Sequence, residues 1–370
     1  MIMTMLTVSI NAALLTDDYA KGPLYGKNMY IPYLIYYNTP AMRAANNDNL
    51  SVSYHLSTYI VQDFITYPTT VDQNFVPGRD HLGSETCAID YESYNSELGV
   101  SVSIKKCVEI GLDMRLISYC GGFIDAIIET FHGTFGFPNG GREYYHRNML
   151  KINIQNKNGL RLYLDEANVS FGDIDFWVKW TFFKQKYVTL AALGAFKLPT
   201  GQLSKLSGSG YPDIATGILV DCTPCRWVSI YSQAAFVLPF DSMLPVEQTP
   251  YPMFNMIITL EVHPLKCFSI LGQFSFKTPA ISGINEGDNA YIHPRFEEYS
   301  NEAFFSYPQT NIMAGFIWRY KNLSWQFYFE EETFTWAGAD ITLNFMFRQK
   351  IDINNVKYRI GSPHSAKKQS

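Results

Sequence analysis

The stretch Val108-Glu109-Ile110-Gly111-Leu112-Asp113-Met114-Arg115-Leu116 decides the fold. Val108, Ile110, Leu112, Met114 and Leu116 share one face of an extended chain, and Glu109, Gly111, Asp113 and Arg115 share the other. Side chains alternate across a β-strand, so this is a strand with one apolar and one polar, charged face. The same period returns in Leu98, Val100, Val102 and Ile104, in Ile174, Phe176, Val178, Trp180 and Phe182, and in Ile341, Leu343, Phe345 and Phe347. It predicts about fourteen strands, near 50–65, 92–104, 107–118, 147–156, 159–168, 173–183, 186–197, 212–221, 226–239, 251–263, 266–277, 310–320, 322–331 and 339–349. Alternation is poor in 186–197, 212–221 and 226–239, which leaves twelve strands as the alternative.

The connections alternate in length. Tight turns are expected at Lys105-Lys106, Asn156-Lys157-Asn158, Lys184-Gln185, Thr223-Pro224, His263-Pro264-Leu265 and Lys321-Asn322. Between them lie mostly longer segments: 66–91, 119–146, 198–211, 240–250 and 278–309. Short turns at one end and long loops at the other mark an outer-membrane barrel. Strands of this length match the roughly 9–11 residues that cross a bilayer with tilt. Trp180, Phe182, Phe274, Phe276, Trp318, Tyr320, Trp325 and Phe327 fall near strand ends or on apolar faces, as interfacial girdles do. The fold class is therefore an all-β, antiparallel up-and-down transmembrane barrel; a soluble β-sandwich is the competing architecture, and it rarely needs apolar faces this aromatic.

Composition agrees. Of 370 residues, 47% are hydrophobic, 15% aromatic and only 17% charged, with a formal net charge of −5. That excludes disorder, which goes with few aromatics and high net charge. No apolar run approaches the roughly 20 residues of a membrane helix. No Lys/Arg stripe supplies the footprint of a nucleic-acid binder. Residues 1–19, with the apolar run Met1–Leu15 and small residues at Asn11-Ala12-Ala13, look like a truncated signal segment that lacks its basic start. Residues 20–350 read as one barrel domain and 351–370 as a polar tail. Cys222-Thr-Pro-Cys225 has no second ligand pair and so reads as a local disulfide or two thiols, not a zinc site. No metal or other cofactor is expected.

One segment breaks the strand rhythm. Within Gly121–Gly136, Phe123, Ile124, Ile127, Ile128, Phe131 and Phe135 fall in one arc of a helical wheel, with Asp125, Glu129 and His132 opposite. The turn-rich stretch Phe137-Pro138-Asn139-Gly140-Gly141-Arg142 follows. Asp125, Glu129, His132 and Arg142 are thus candidates for ligand binding or gating; the plainer reading packs the Phe and Ile face against the barrel and leaves the polar face to solvent. The segment from Gly121-Gly122-Phe123-Ile124-Asp125 to Asn139-Gly140-Gly141-Arg142 resembles the hallmark of an uncharacterised bacterial family of outer-membrane barrels, a domain of unknown function. Glu92-x-Tyr94, Lys197-Leu198-Pro199-Thr200-Gly201 with Gly208-Ser209-Gly210 and Asp213, and Glu330-Glu331 with Ala339-Asp340 are similar to further family segments. The resemblance covers about residues 23–350 and implies a surface barrel with no assigned ligand or catalytic residues.

The reading that follows is a channel or porin-like conduit in the bacterial outer membrane for a small, unidentified solute. Its inward charges, Glu109, Asp113, Arg115, Lys179 and Arg319 among them, would line the lumen and set selectivity. Its expected partners are outer-membrane lipids, the barrel-assembly machinery and the solute, with no nucleic acid. Two alternatives stand beside it. Ser53 and His55 share a strand face and could serve a lipid hydrolase, although no orienting carboxylate or amide is legible. A structural or adhesion barrel would instead bind through its long loops.

Overall fold

The computed structural model describes residues 19–30, 33–46, 50–67, 86–104, 107–136, 146–155, 161–241, 250–279, 308–333, 339 and 341–353. In chain order its strands are β1 (Ser51–Tyr67), β2 (Thr86–Ile104), β3 (Val108–Cys120), β4 (Lys151–Gln155), β5 (Arg161–Leu164), β6 (Asn168–Phe171), β7 (Ile174–Lys184), β8 (Val188–Leu198), β9 (Asp213–Cys225), β10 (Val228–Pro239), β11 (Met253–Leu265), β12 (Phe268–Lys277), β13 (Gln309–Tyr320), β14 (Leu323–Glu332) and β15 (Ile341–Asp352). One helix, α1 (Asp125–Phe135), follows β3.

Twelve of these strands close into a ring. Each of β7 to β15 pairs antiparallel with the next, β3 pairs with β7 and β2, and β1 joins β2 to β15. Of the two counts expected, fourteen or twelve, the ring has twelve. Segments 147–156 and 159–168 form β4 and β5, a hairpin laid on Thr86–Asp90 of β2 above the ring. With 5 and 4 residues, neither can cross a hydrocarbon core of about 30 Å at roughly 3.3 Å per residue. The short β6 similarly extends the upper end of β3, at Leu116–Tyr119. Two expected turns also move. β9 runs on to Cys225 and β11 to Leu265, so Pro224 and Pro264 lie inside strands, beside register shifts at Val228/Ile230 and Val262/Leu265. A proline that cannot donate to a ladder is tolerated at such irregularities.

No helix among the described residues is long and apolar enough to cross a membrane, so any crossing falls to the strands. Their outer faces are bare and apolar: Trp180 is 54% exposed, Phe236 54% and Phe345 50%. Their inner faces are polar yet buried, including Asp113, Arg115, Asp175, Lys179, Glu97 and Asn344. This arrangement, apolar outside and polar inside, suits a wall between lipid and lumen.

The lumen itself is filled by chain that the strand pattern did not anticipate. Among the described residues, 19–22 lie at the tight-turn end, Asn28 and 37–38 at the long-loop end, and Ala44 and Ala45 again near the tight turns, where β1 starts at Ser51. Leu24, Met29, Leu34, Ile35 and Tyr36 are fully buried there, among wall residues Tyr59, Tyr91, Ile117, Tyr119 and Tyr328.

Candidate functional site

Because this lumenal segment, the plug, belongs to no sheet, its backbone needs other hydrogen-bond partners. The wall's inward side chains supply them. On the rising arm, the Lys21 amide donates to both Glu261 oxygens at 3.0 and 3.1 Å, and the Tyr25 amide donates to Gln326 at 3.1 Å. On the descending arm, the Met42 amide donates to Gln233 at 3.2 Å, and the Ala44 and Ala45 amides donate to Asp221 at 2.7 and 3.0 Å. Thr181 donates its hydroxyl to the Ala44 carbonyl at 2.6 Å.

At mid-depth the plug carries a charge into an acidic cluster. The Lys27 ammonium lies 2.7 Å from Glu97, 3.1 Å from Asp113 and 3.3 Å from Asp175, all fully buried. Arg115 stands 3.7 Å from Asp175 and donates to the Leu34 carbonyl at 3.2 Å. His55 Nε2 sits 3.3 Å from Glu97. Strand register makes this cluster: Gly99 of β2 faces His55 on one side and Asp113 on the other. A methyl group at Gly99 would come within 2.0 Å of His55 and 2.5 Å of Asp113, so glycine leaves the space in which the groups meet. His55, Glu97 and Asp113 offer ligand atoms all within 4.8 Å of one another, a set able to hold a cation, and Lys27 already bonds both carboxylates.

The plug apex is held by the second sequence motif. Lys197 donates to the Ile35 carbonyl, to Asp173 and to Ser209, each at 2.7 Å, and lies 3.2 Å from Asp213. Asp213 in turn accepts from the Tyr37 amide at 2.6 Å. Asp173 also accepts from the Gly201 amide at 2.8 Å, and a methyl group at Gly208 would lie 2.4 Å from an Asp173 oxygen. The Lys-Leu-Pro-Thr-Gly…Gly-Ser-Gly…Asp motif is thus a clasp around the plug's turning point.

The first motif anchors α1. The Glu92 carboxylate accepts from the Phe123 amide at 2.6 Å, from the Ile124 amide, and from the Tyr94 hydroxyl at 2.9 Å. It thereby meets amides that a helix N-terminus leaves open. Gly122 has a φ of +68°, and a Cβ there would stand 1.7 Å from the Glu92 carboxyl carbon. The predicted face arrangement of α1 holds only in part: Ile124 and Ile128 are buried as expected, but the rest of the apolar arc is not. Asp125 is buried, accepting from the Asn148 amide at 2.7 Å and from Gln62 at 3.2 Å. Glu129 pairs with Arg147 and, through that hydrogen bond, holds the guanidinium pKa above its ordinary value. Phe123, Ile127, Phe131 and Phe135 are instead 58, 59, 52 and 65% exposed. Asp125 and Glu129 therefore serve separate partners, His132 stacks near Phe131, and Arg142 lies outside the described residues.

The five charges expected to face the lumen all point inward. Glu109 pairs with Lys179 at 2.7 Å, Asp113 and Arg115 join the Lys27 cluster, and Arg319 donates to the Ala20 carbonyl at 2.8 Å. Ser53 and His55 also point inward, but no hydrogen bond joins them among the described residues. A different set has nucleophile–base–carboxylate connectivity: Ser229 Oγ lies 2.9 Å from His263 Nε2, and His263 Nδ1 lies 3.3 Å from Glu261. All three are fully buried, and Glu261 is already committed to the plug. That makes them an anchor rather than an acyl-transfer site. Cys222 and Cys225 are free thiols.

A closed twelve-stranded antiparallel barrel with an apolar exterior and an occupied polar lumen has the architecture of outer-membrane channels. The chain belongs to the family described as protein of unknown function (DUF3187), whose model matches residues 82–292, more than half of it. No curated protein matches. Among solved structures, the chain is similar to the COG4313 outer membrane channel from Pseudomonas putida F1, with a TM-score of 0.52, 7% identity, and coverage of 83% of this chain and 98% of that one. A FadL homologue from Pseudomonas aeruginosa (TM-score 0.36, 9% identity, 82% and 90% covered) and the KdgM porin (0.39, 6%, 81% and 98%) are more distant and carry no argument. At these identities the likeness is one of fold.

Proposed function

We propose that the protein is a gated channel of the bacterial outer membrane for a small solute, closed by its own residues 19–30 and 33–46. The observation that carries this reading is the plug: a segment outside the sheet, held by wall side chains, whose removal would break no strand ladder. The long loops would face outward and the tight turns the periplasm. The α1 stripe of Phe123, Ile127, Phe131 and Phe135 is as bare as the barrel's outer belt, which supports its lying in the outer leaflet, with Glu92 and Asp125 tethering it to the wall. Outer-membrane lipids and the assembly machinery are then its partners. The test is conductance in planar bilayers. The native chain should be mostly closed, and Asp221→Asn with Glu261→Gln, which weakens acceptors on both plug arms, should raise the open fraction. Silence of both proteins, each shown to be folded by heat-modifiable gel mobility, would refute the channel reading.

A further inference from the structure

Beside the plug arms, at the tight-turn end, the lumen opens into a cavity of about 560 Å³. Its charge is one-sided. Lys179 of β7, Arg319 of β13 and Arg348 and Lys350 of β15 line it from the wall, and Lys21 and Arg43 line it from the plug. Lys184 and Lys321 add two more cations, whereas Glu109 is the one carboxylate among the described residues of the lining. The whole chain carries a net −5, so this concentration of positive charge is local. Glu109 neutralises Lys179 at 2.7 Å, and Asp221 stands 3.4 Å from Arg43. Arg348 makes no ion pair within 4 Å among the described residues, although its charge reaches Glu109; its guanidinium lies over the Tyr25 ring, 5.4 Å from the centroid. Ser53 and Ser324 also line it, while Ser101 donates to Glu109 at 2.8 Å and His55 sits 3.3 Å from Glu97.

A cavity walled by protein and lined by one sign of charge concentrates ions of the other sign. Arginine and lysine at the same mouth bind carboxylate or phosphate groups, arginine through its planar fork. We propose that this vestibule binds a small, multiply charged oxyanion and makes the conduit anion-preferring. The proposal rests on the channel reading for its transport half only, because binding to the vestibule can be measured without conductance.

The experiment uses the full chain, the double variant Arg348→Glu with Lys350→Glu, and Lys186→Glu as a control at a turn residue outside the cavity lining. Tripolyphosphate is the probe, tricarballylate tests whether carboxylates suffice, and maltotriose is the uncharged control. Calorimetry in detergent should show tripolyphosphate binding that weakens with salt, falls by about tenfold or more in the double variant as two charge-assisted contacts are lost, and is unchanged in the control. In bilayers under a KCl gradient, the reversal potential should lie on the chloride side and move toward potassium in the double variant. Bilayers that stay silent while tripolyphosphate binding is lost only in the double variant would sink the channel reading and leave the site standing. Cation preference in the native chain, absent tripolyphosphate binding, or equal binding by maltotriose would overturn the proposal. If the double variant fails the heat-modifiability check, Arg348→Gln alone replaces it with the same criteria.

Discussion

Replacing Lys27 with methionine tests the plug at its most charged contact. In the native chain, Glu97, Asp113 and Asp175 are compensated by Lys27, at 2.7–3.3 Å, and by Arg115, 3.7 Å from Asp175. Lys27→Met keeps the side-chain length but leaves three buried carboxylates facing one guanidinium. Removing one partner of a buried ion pair costs about 3–5 kcal/mol, chiefly the penalty of an uncompensated charge. That cost falls on the docked plug alone, because water reaches the carboxylates once the plug moves. The docked-to-undocked ratio should then drop by at least ~10²-fold, at about 1.4 kcal/mol per tenfold. The wall should be spared, since none of its strand pairings uses Lys27. Hydrogen exchange reads this directly: the Tyr37, Ala44 and Ala45 amides, which donate to Asp213 and Asp221, should exchange far faster, while amides of β9–β12 keep their protection. Lys27→Arg, which keeps the charge, should show a much smaller effect. Unchanged exchange at these plug amides in a folded Lys27→Met protein would refute the reasoning.

Gly99→Ala should act on the same cluster by sterics, since its methyl group meets His55 and Asp113; overpacking of about 1–3 kcal/mol should appear as faster plug exchange with a folded wall. Gly122→Ala should loosen α1, because φ is positive there and the Cβ would strike Glu92; limited proteolysis near residues 121–136 should speed up while barrel mobility on gels stays the same. Phe131→Trp places a reporter in the exposed α1 stripe, and brominated lipid should quench it strongly; weak quenching would place the stripe in water. Ser229 should resist fluorophosphonate labelling in the native chain, and labelling that depends on His263 would turn the buried anchor back into a candidate nucleophile.

The wall was largely legible in the sequence, and the plug was not, for one physical reason. A strand between lipid and lumen must alternate, so β3, β7 and β15 declare themselves through Ile110 and Asp113, Val178 and Lys179, Phe345 and Asn344. Alternation says nothing about what meets the inner face. Alternation alone makes Asp113 and Arg115 charges facing a solute path, yet in the structure they hold Lys27 and the Leu34 carbonyl. The residues that meet them lie in 19–30 and 33–46, which show neither strand alternation nor an amphipathic helix: Lys21, Tyr25, Tyr37, Met42, Ala44 and Ala45 donate their amides to wall side chains, whereas Gly26 and Leu34 donate to the plug's own carbonyls. The motifs were visible but their purpose was not. Glu92 and Gly122 stand 30 positions apart, and Asp173 and Gly208 stand 35 apart; only the register of β2 with β3, and of β7 with β8 and β9, brings each pair together. A helical wheel defines the two faces of α1 but not which of their residues meet the barrel. Asp125 is buried together with Ile124 and Ile128, while Phe123, Ile127 and Phe131 are bare.

The plug's two regions differ in what holds them, and this bears on how such a gate would move. The arms near the tight turns, around Lys21 and Ala44, are fixed mainly by carboxylates and amides of the wall. Water can replace those bonds, so freeing an arm costs about 0.5–1.5 kcal/mol per neutral hydrogen bond and roughly 1.5–3 for one to a charged group. The apex holds Met29, Leu34, Ile35 and Tyr36 in fully buried positions. Exposing each such side chain costs about 1.5–3 kcal/mol, and water gives nothing back. Complete ejection exposes the apex as well and is the costlier move, while loosening the arms alone enlarges the cationic vestibule they line. An anion seated in that vestibule meets Lys21 and Arg43, the arms' own cations, and so is placed to act first on the part of the plug that yields most easily.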